Sequence, residues 1–168
     1  MRRLRKIGKS KRTNRLEAGF SLIELLVVVA VILIIAAIAI PNYIQSKMRA
    51  NEASAAQSLR NIATAELVYS TTYGINFSTS LTQLSGTGLI PDQNNAGLID
   101  EALASGTKSG YVIVYTPLTT DAQGHTATYS LTADPQTPST GQRHFYADQT
   151  CVIRSNVSVP AGPSDLPI

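Results

Sequence analysis

Residues 19–40 read GFSLIELLVVVAVILIIAAIAI, and the fold turns on how they are read. The sixteen residues from Leu25 to Ile40 carry no polar side chain, and from Phe20 to Ile40 only Ser21 and Glu24 are polar. As a helix, the 21 residues from Phe20 extend about 31 Å, enough to cross the hydrocarbon core of a bilayer. Val and Ile dominate, and both are mediocre helix formers in water. In lipid the backbone must satisfy its own hydrogen bonds, so the run is read as helix. A carboxylate in hydrocarbon is expensive and is kept for a purpose. Glu24 therefore needs a reason of its own.

On the N-terminal side, residues 1–19 hold eight of the fourteen basic residues and one acid, Glu17, for a net charge of +7. The other 149 residues hold six basic and ten acidic side chains, a net charge of −4. A basic arm can serve nucleic acid. Placed directly before a membrane-length apolar run, it is better explained by the positive-inside rule. An ordinary secretory signal is the first competitor, and Ala37-Ile38-Ala39 resembles a small-residue cleavage site. The apolar stretch is longer than the usual core of such a signal, and it contains a carboxylate. A plain single-span anchor explains the length and the basic flank but leaves Glu24 unexplained.

Gly19-Phe20-Ser21-Leu22-Ile23-Glu24-Leu25-Leu26, after a basic leader and before a long apolar helix, resembles the processing site of type IV prepilins and the related pseudopilins. The resemblance is carried by residues 15–45; beyond them it is one of general layout. It implies a membrane-embedded aspartyl peptidase that cuts between Gly19 and Phe20, and N-methylation of Phe20 by the same enzyme. It also implies that Glu24 pairs with the Phe20 amine of a neighbouring subunit in a helical filament. An unpaired carboxylate in an apolar filament centre costs several kcal/mol and a paired one is compensated. Glu24 would thus favour one axial register. Pro41 falls where pilins often carry a helix-loosening proline.

Beyond Pro41 the pattern turns amphipathic. Ile44, Met48, Ala55, Leu59, Ile62 and Tyr69 fall on one stripe, with Asn51, Glu52, Gln57, Arg60 and Asn61 mostly off it. The helix is expected from Phe20 to about Thr72, kinked or loosened at Pro41 and stopped by Gly74. Four segments follow: a leader (1–19), an apolar membrane and assembly helix (20–41), its amphipathic continuation (42–72) and a head (73–168).

In the head, Leu81–Leu84 and Leu98–Ala104 are expected as helical turns, with Ser80 an N-cap and Asp100 an unconvincing one. Tyr111–Thr116 and the alternating Ala127, Tyr129 and Leu131 read as strands, joined by a turn over Thr119–Gly124. Arg143–Ala147 and Cys151–Arg154 read as a hairpin about Asp148-Gln149, with Cys151 a small apolar strand residue. The tail from Pro160 is expected to be loose. The fold class is α+β: a long N-terminal helix on an antiparallel sheet of about four strands, as in a pilin head.

One cysteine excludes an intrachain disulfide, the device by which pilins often close a C-terminal loop. No cofactor is expected. Calcium, which orders that region in some pseudopilins, is a minor alternative because Asp121, Asp134, Asp148 and Asp165 are dispersed. His125 and His144 have no nearby nucleophile or ligand spacing, so no catalytic site is expected.

The leading expectation is a filament subunit, inserted in the bacterial inner membrane with its leader in the cytoplasm and its head outside. Its partners would be copies of itself or related pilins, the prepilin peptidase, and the pilus or secretion machinery with an ATPase to extract it. A type II secretion pseudopilin is the alternative, as is a minor tip pilin that binds DNA or a surface through Lys108, Arg143 and Arg154. The mature charge of −4 argues against nucleic acid as a broad partner.

Overall fold

A computed structural model describes residues 19–86, 88 and 90–168; the basic leader lies outside the described residues. The chain divides into two compact units that meet between Ile40 and Pro41. Helix α1, Leu22–Tyr73, contributes to both.

In the first unit, Gly19, Phe20 and Ser21 precede the helix, and the first turn closes with the Leu25 N–H donating to the Ser21 carbonyl at 3.2 Å. Glu24 lies in that first turn, where the positive end of the helix dipole favours a carboxylate. From Phe20 to Ile40 the side chains are exposed, apart from a half-buried Ala36.

The second unit is an α+β head. Its part of α1 begins at Pro41, inside the helix bounds. It ends where Gly74 adopts φ 65° and its N–H donates to the Ser70 carbonyl. That left-handed residue stops a helix cheaply only as glycine. Two one-turn helices follow, α2 (Leu81–Leu84) and α3 (Glu101–Ala104). Ser80 caps α2 as expected, its side chain accepting from the Gln83 N–H. Asp100 also caps, accepting from the Leu103 N–H at 2.6 Å, which corrects the expectation. Its side chain satisfies a donor that a helix start would otherwise leave free.

Six strands form one antiparallel sheet in chain order: β1 (Thr107–Lys108), β2 (Tyr111–Thr120), β3 (Thr126–Pro135), β4 (His144–Asp148), β5 (Arg154–Asn156) and β6 (Leu166–Pro167). The two additional strands are two-residue edges. β2 is longer than expected and continues through Pro117, where its register with β3 shifts. β1 pairs only with Tyr111 and Val112, so Pro117 has no partner on that side to miss its N–H. The hairpin between β4 and β5 is wider than Asp148-Gln149, because His144 pairs with Asn156. Cys151 is therefore not in a strand. It is exposed in the connecting turn with φ 59°, its N–H donating to the Asp148 carbonyl at 2.9 Å. The tail is not loose either: β6 pairs with β5, and the Ile168 N–H donates to the Ile153 carbonyl at 3.0 Å.

The core lies between α1 and the inner face of the sheet. Ala55, Leu59, Ile62 and Tyr69 pack with Tyr111, Ile113, Tyr129, Leu131, Ala133, Phe145 and Ala147. Ile44 remains exposed and Met48 half-buried, so the buried stripe begins later than its sequence pattern. Arg60 and Asn61 face out, while Asn51 and Glu52 tie α1 to the loop before β4. The Asn51 amide donates to the Thr140 carbonyl, and a Glu52 carboxylate oxygen accepts from the Gln142 N–H, both at 2.9 Å.

Candidate functional site

The Gly19–Phe20 step is open. Among the described residues, a side chain added at Gly19 would meet no atom within 4 Å. Phe20 is 82% exposed. A large aromatic in that state is available to a second molecule.

Four residues on, the Glu24 side chain is exposed on a helix whose other side chains through Ile40 are aliphatic. Leu22, Ile23, Leu25, Leu26 and the Val and Ile residues that follow are each about half exposed or more. The described residues do not cover this surface. A contiguous uncovered apolar surface of this kind marks an interaction site rather than ordinary protein surface. α1 is long and apolar enough to cross a membrane. Lipid tails or like helices are the environments such a surface fits. Among like helices, an ionised carboxylate is costly unless a positive group lies beside it. A chain beginning at Phe20 would carry its own such group, an α-amine, four residues from Glu24.

The head places the remaining residues singled out above in structural roles. Asp121 accepts from the Gln123 and His125 N–H groups and lies 3.3 Å from His125 Nδ1. Asp134 pairs with His144, Asp148 accepts from Thr150, and Asp165 accepts from Asn156 and Gly162. Among the described residues, no three His, Cys, Asp or Glu side chains are grouped to hold a metal. The three cations proposed as a patch each face a different acceptor: Lys108 meets Asp100, Arg143 meets Glu52, and Arg154 donates to the Asp165 carbonyl.

Glu66 is the residue that sequence reasoning missed. It is fully buried on α1. Its two oxygens accept from the Ser78 N–H at 2.9 Å and the Ser78 hydroxyl at 2.5 Å. The Tyr115 hydroxyl donates to the Ser78 carbonyl at 2.7 Å, closing the cluster. Burial raises the Glu66 pKa, and the bonds from Ser78 oppose that rise. The same burial, reinforced by the Glu66 charge, raises the Tyr115 hydroxyl strongly. The signal was present: Ile62 and Tyr69 are seven apart on the buried stripe, and Glu66 is the rung between them.

Residues 14–40 match the family model described as the prokaryotic N-terminal methylation motif. The chain is also similar to the type IV major pilin protein PilA of Myxococcus xanthus, with 47% identity over 55 residues. That alignment covers 33% of this chain, and the chain spans 25% of the length of that relative.

Proposed function

From a chain whose N-terminal segment is of the type IV prepilin kind, we propose a structural subunit of a type IV pilus-like filament. The prepilin is held in the inner membrane by α1 until a prepilin peptidase cuts between Gly19 and Phe20 and methylates the new amine. The mature subunit loses all eight leader cations and leaves the bilayer for a filament built of apolar helices side by side. Copies of this chain or related pilins are its partners, with assembly machinery to drive the extraction. Its role is structural rather than catalytic.

The observation that carries this reading is the pairing of an open Gly19–Phe20 step with a single carboxylate, Glu24, on an uncovered aliphatic helix. Cleavage supplies the cation that the carboxylate lacks. Removing one partner of a buried pair costs roughly 3–5 kcal/mol, enough to select one register of neighbouring subunits. Pro41 removes one helical N–H and is where we expect α1 to yield as subunits pack.

Mass spectrometry of the mature N-terminus tests the processing. A peptide that begins at methylated Phe20 is expected, and one that begins at Ile40 would establish an ordinary signal peptide instead. Glu24→Ala tests the assembly role: membrane insertion should persist while filament yield falls severely. Wild-type filament yield from that variant would remove Glu24 from assembly. Filaments on the cell surface, rather than confined to the periplasm, separate a pilus subunit from a secretion pseudopilin.

A further inference from the structure

A groove of about 750 Å³ opens in the head between the first turns of its helix and the β4–β6 end of the sheet. Met48, Phe145, Val157 and Ile168 form an apolar wall, and Arg49 and Arg143 lie on it as cations. The volume is that of a small-molecule site, and the lining divides almost evenly between apolar and polar groups, which suits an amphipathic ligand. We propose that this groove binds an anionic phospholipid of the leaflet facing the head, while the subunit waits in the membrane. The proposal rests on the membrane-anchored reading above and adds a ligand to it.

Connectivity brings the groove to the lipid. Gln45, on its lining, is five residues from Ile40, so at most about 18 Å of chain separates it from the apolar run. The headgroup layer is itself several Å thick. Tyr43, 68% exposed, supplies the aromatic residue favoured at that level.

Charge selects the lipid. Residues 20–168 are net negative and contain six cations. Lys47 and Arg49 fall within nine residues of Ile40, and the fold returns Arg143 to the same groove. Two cations directly after a span, on the side opposite the basic leader, run against the usual bias and call for a local reason. Glu52 is the one acidic side chain lining the groove among the described residues. One of its oxygens is occupied by the Gln142 and Arg143 N–H groups, and the other lies 3.8 Å from Arg143 Nε. Arg143 is half exposed, and Arg49 is exposed with no hydrogen bond or ion pair among the described residues. The Arg49 guanidinium is available to a phosphodiester, and the half-exposed Arg143 would share its fork between Glu52 and the phosphate, a planar geometry suited to such anions.

The test is native mass spectrometry of the delipidated full-length chain in detergent. It is titrated with phosphatidylglycerol or phosphatidylcholine of identical tails. Each cation near an anionic lipid is worth about 1 kcal/mol, so the Arg49→Gln, Arg143→Gln double variant should lose phosphatidylglycerol adducts by about tenfold or more. Adducts with phosphatidylcholine should not change. Arg60→Gln, which removes an exposed α1 cation outside the groove, should match the parent chain and cancels the contribution of the leader. An unchanged phosphatidylglycerol preference in the double variant overturns the proposal. Equal binding of glycerol phosphate overturns it in favour of a free-phosphate site. Loss of dimers instead of lipid adducts overturns it in favour of a second copy. Flotation with neutral liposomes reads the anchor separately: a chain that fails to float removes the membrane reading, whereas one that floats without lipid preference removes only the groove assignment.

Discussion

Glu66 holds a carboxylate buried in the head, with the Ser78 hydroxyl and backbone N–H for partners. Because burial raises its pKa, the folded head binds that proton more tightly than the unfolded chain does. Its contribution to stability is therefore fully present below the ordinary glutamate value and is lost as pH rises through the raised one. The head should unfold at lower denaturant at about pH 8 than at about pH 5, and Glu66→Gln should flatten that difference. Equal slopes in the two chains would show that Glu66 does not titrate in this window. Glu66→Ala should cost about 1–3 kcal/mol, since it leaves the Ser78 donors buried without an acceptor. Gly141 offers a steric counterpart. A Cβ there would overlap the hydroxyl and ring of the buried Tyr111, whose hydroxyl donates to the Arg143 carbonyl. Gly141→Ala should lower the denaturation midpoint by about 1–3 kcal/mol of stability.

At the scale of elements, what the sequence made legible follows from how local each signal is. The bounds of α1 could be read because apolar composition starts it and a left-handed glycine stops it, both within a few residues. The strand through Tyr129 could be read because Tyr129 and Leu131 are buried on alternate positions, although Ala127, expected on the same face, is only half-buried. Thr126 could not, since its burial comes from pairing with Phe77, forty-nine residues earlier in the chain. Cys151 and the tail were misread for a similar reason: the β4–β5 register and the β6 pairing are set by partners distant in sequence. Gly19, Phe20 and Glu24, the residues proposed for processing and assembly, stood out because a motif is local, whereas Glu66 and the groove depend on tertiary placement. The caps provide a direct comparison. Asp100 and Ser80 hold equivalent positions on α3 and α2, so Asp100→Ala and Ser80→Ala should each cost about 1 kcal/mol in chemical denaturation. A negligible effect for Asp100 alone would restore the weaker reading of that cap.

Across the whole molecule, the two units differ in how they satisfy their apolar surface. The head buries a core of its own around Leu59, Ile62, Tyr111, Tyr129 and Leu131, while the first unit exposes its aliphatic side chains. A chain of residues 42–168 should therefore be soluble and unfold cooperatively, as followed by circular dichroism, whereas the full chain should require detergent or lipid. Aggregation of the shorter chain would show that the head depends on the preceding helix. The turn after β4 carries the one thiol of the sequence, and that thiol is exposed on a backbone already held in the left-handed region. A maleimide fluorophore attached there tags each protomer once without entering the interior. Brightness along a fibre of the proposed kind would count its protomers, and time-lapse imaging of such tagged fibres would give the rate at which they lengthen.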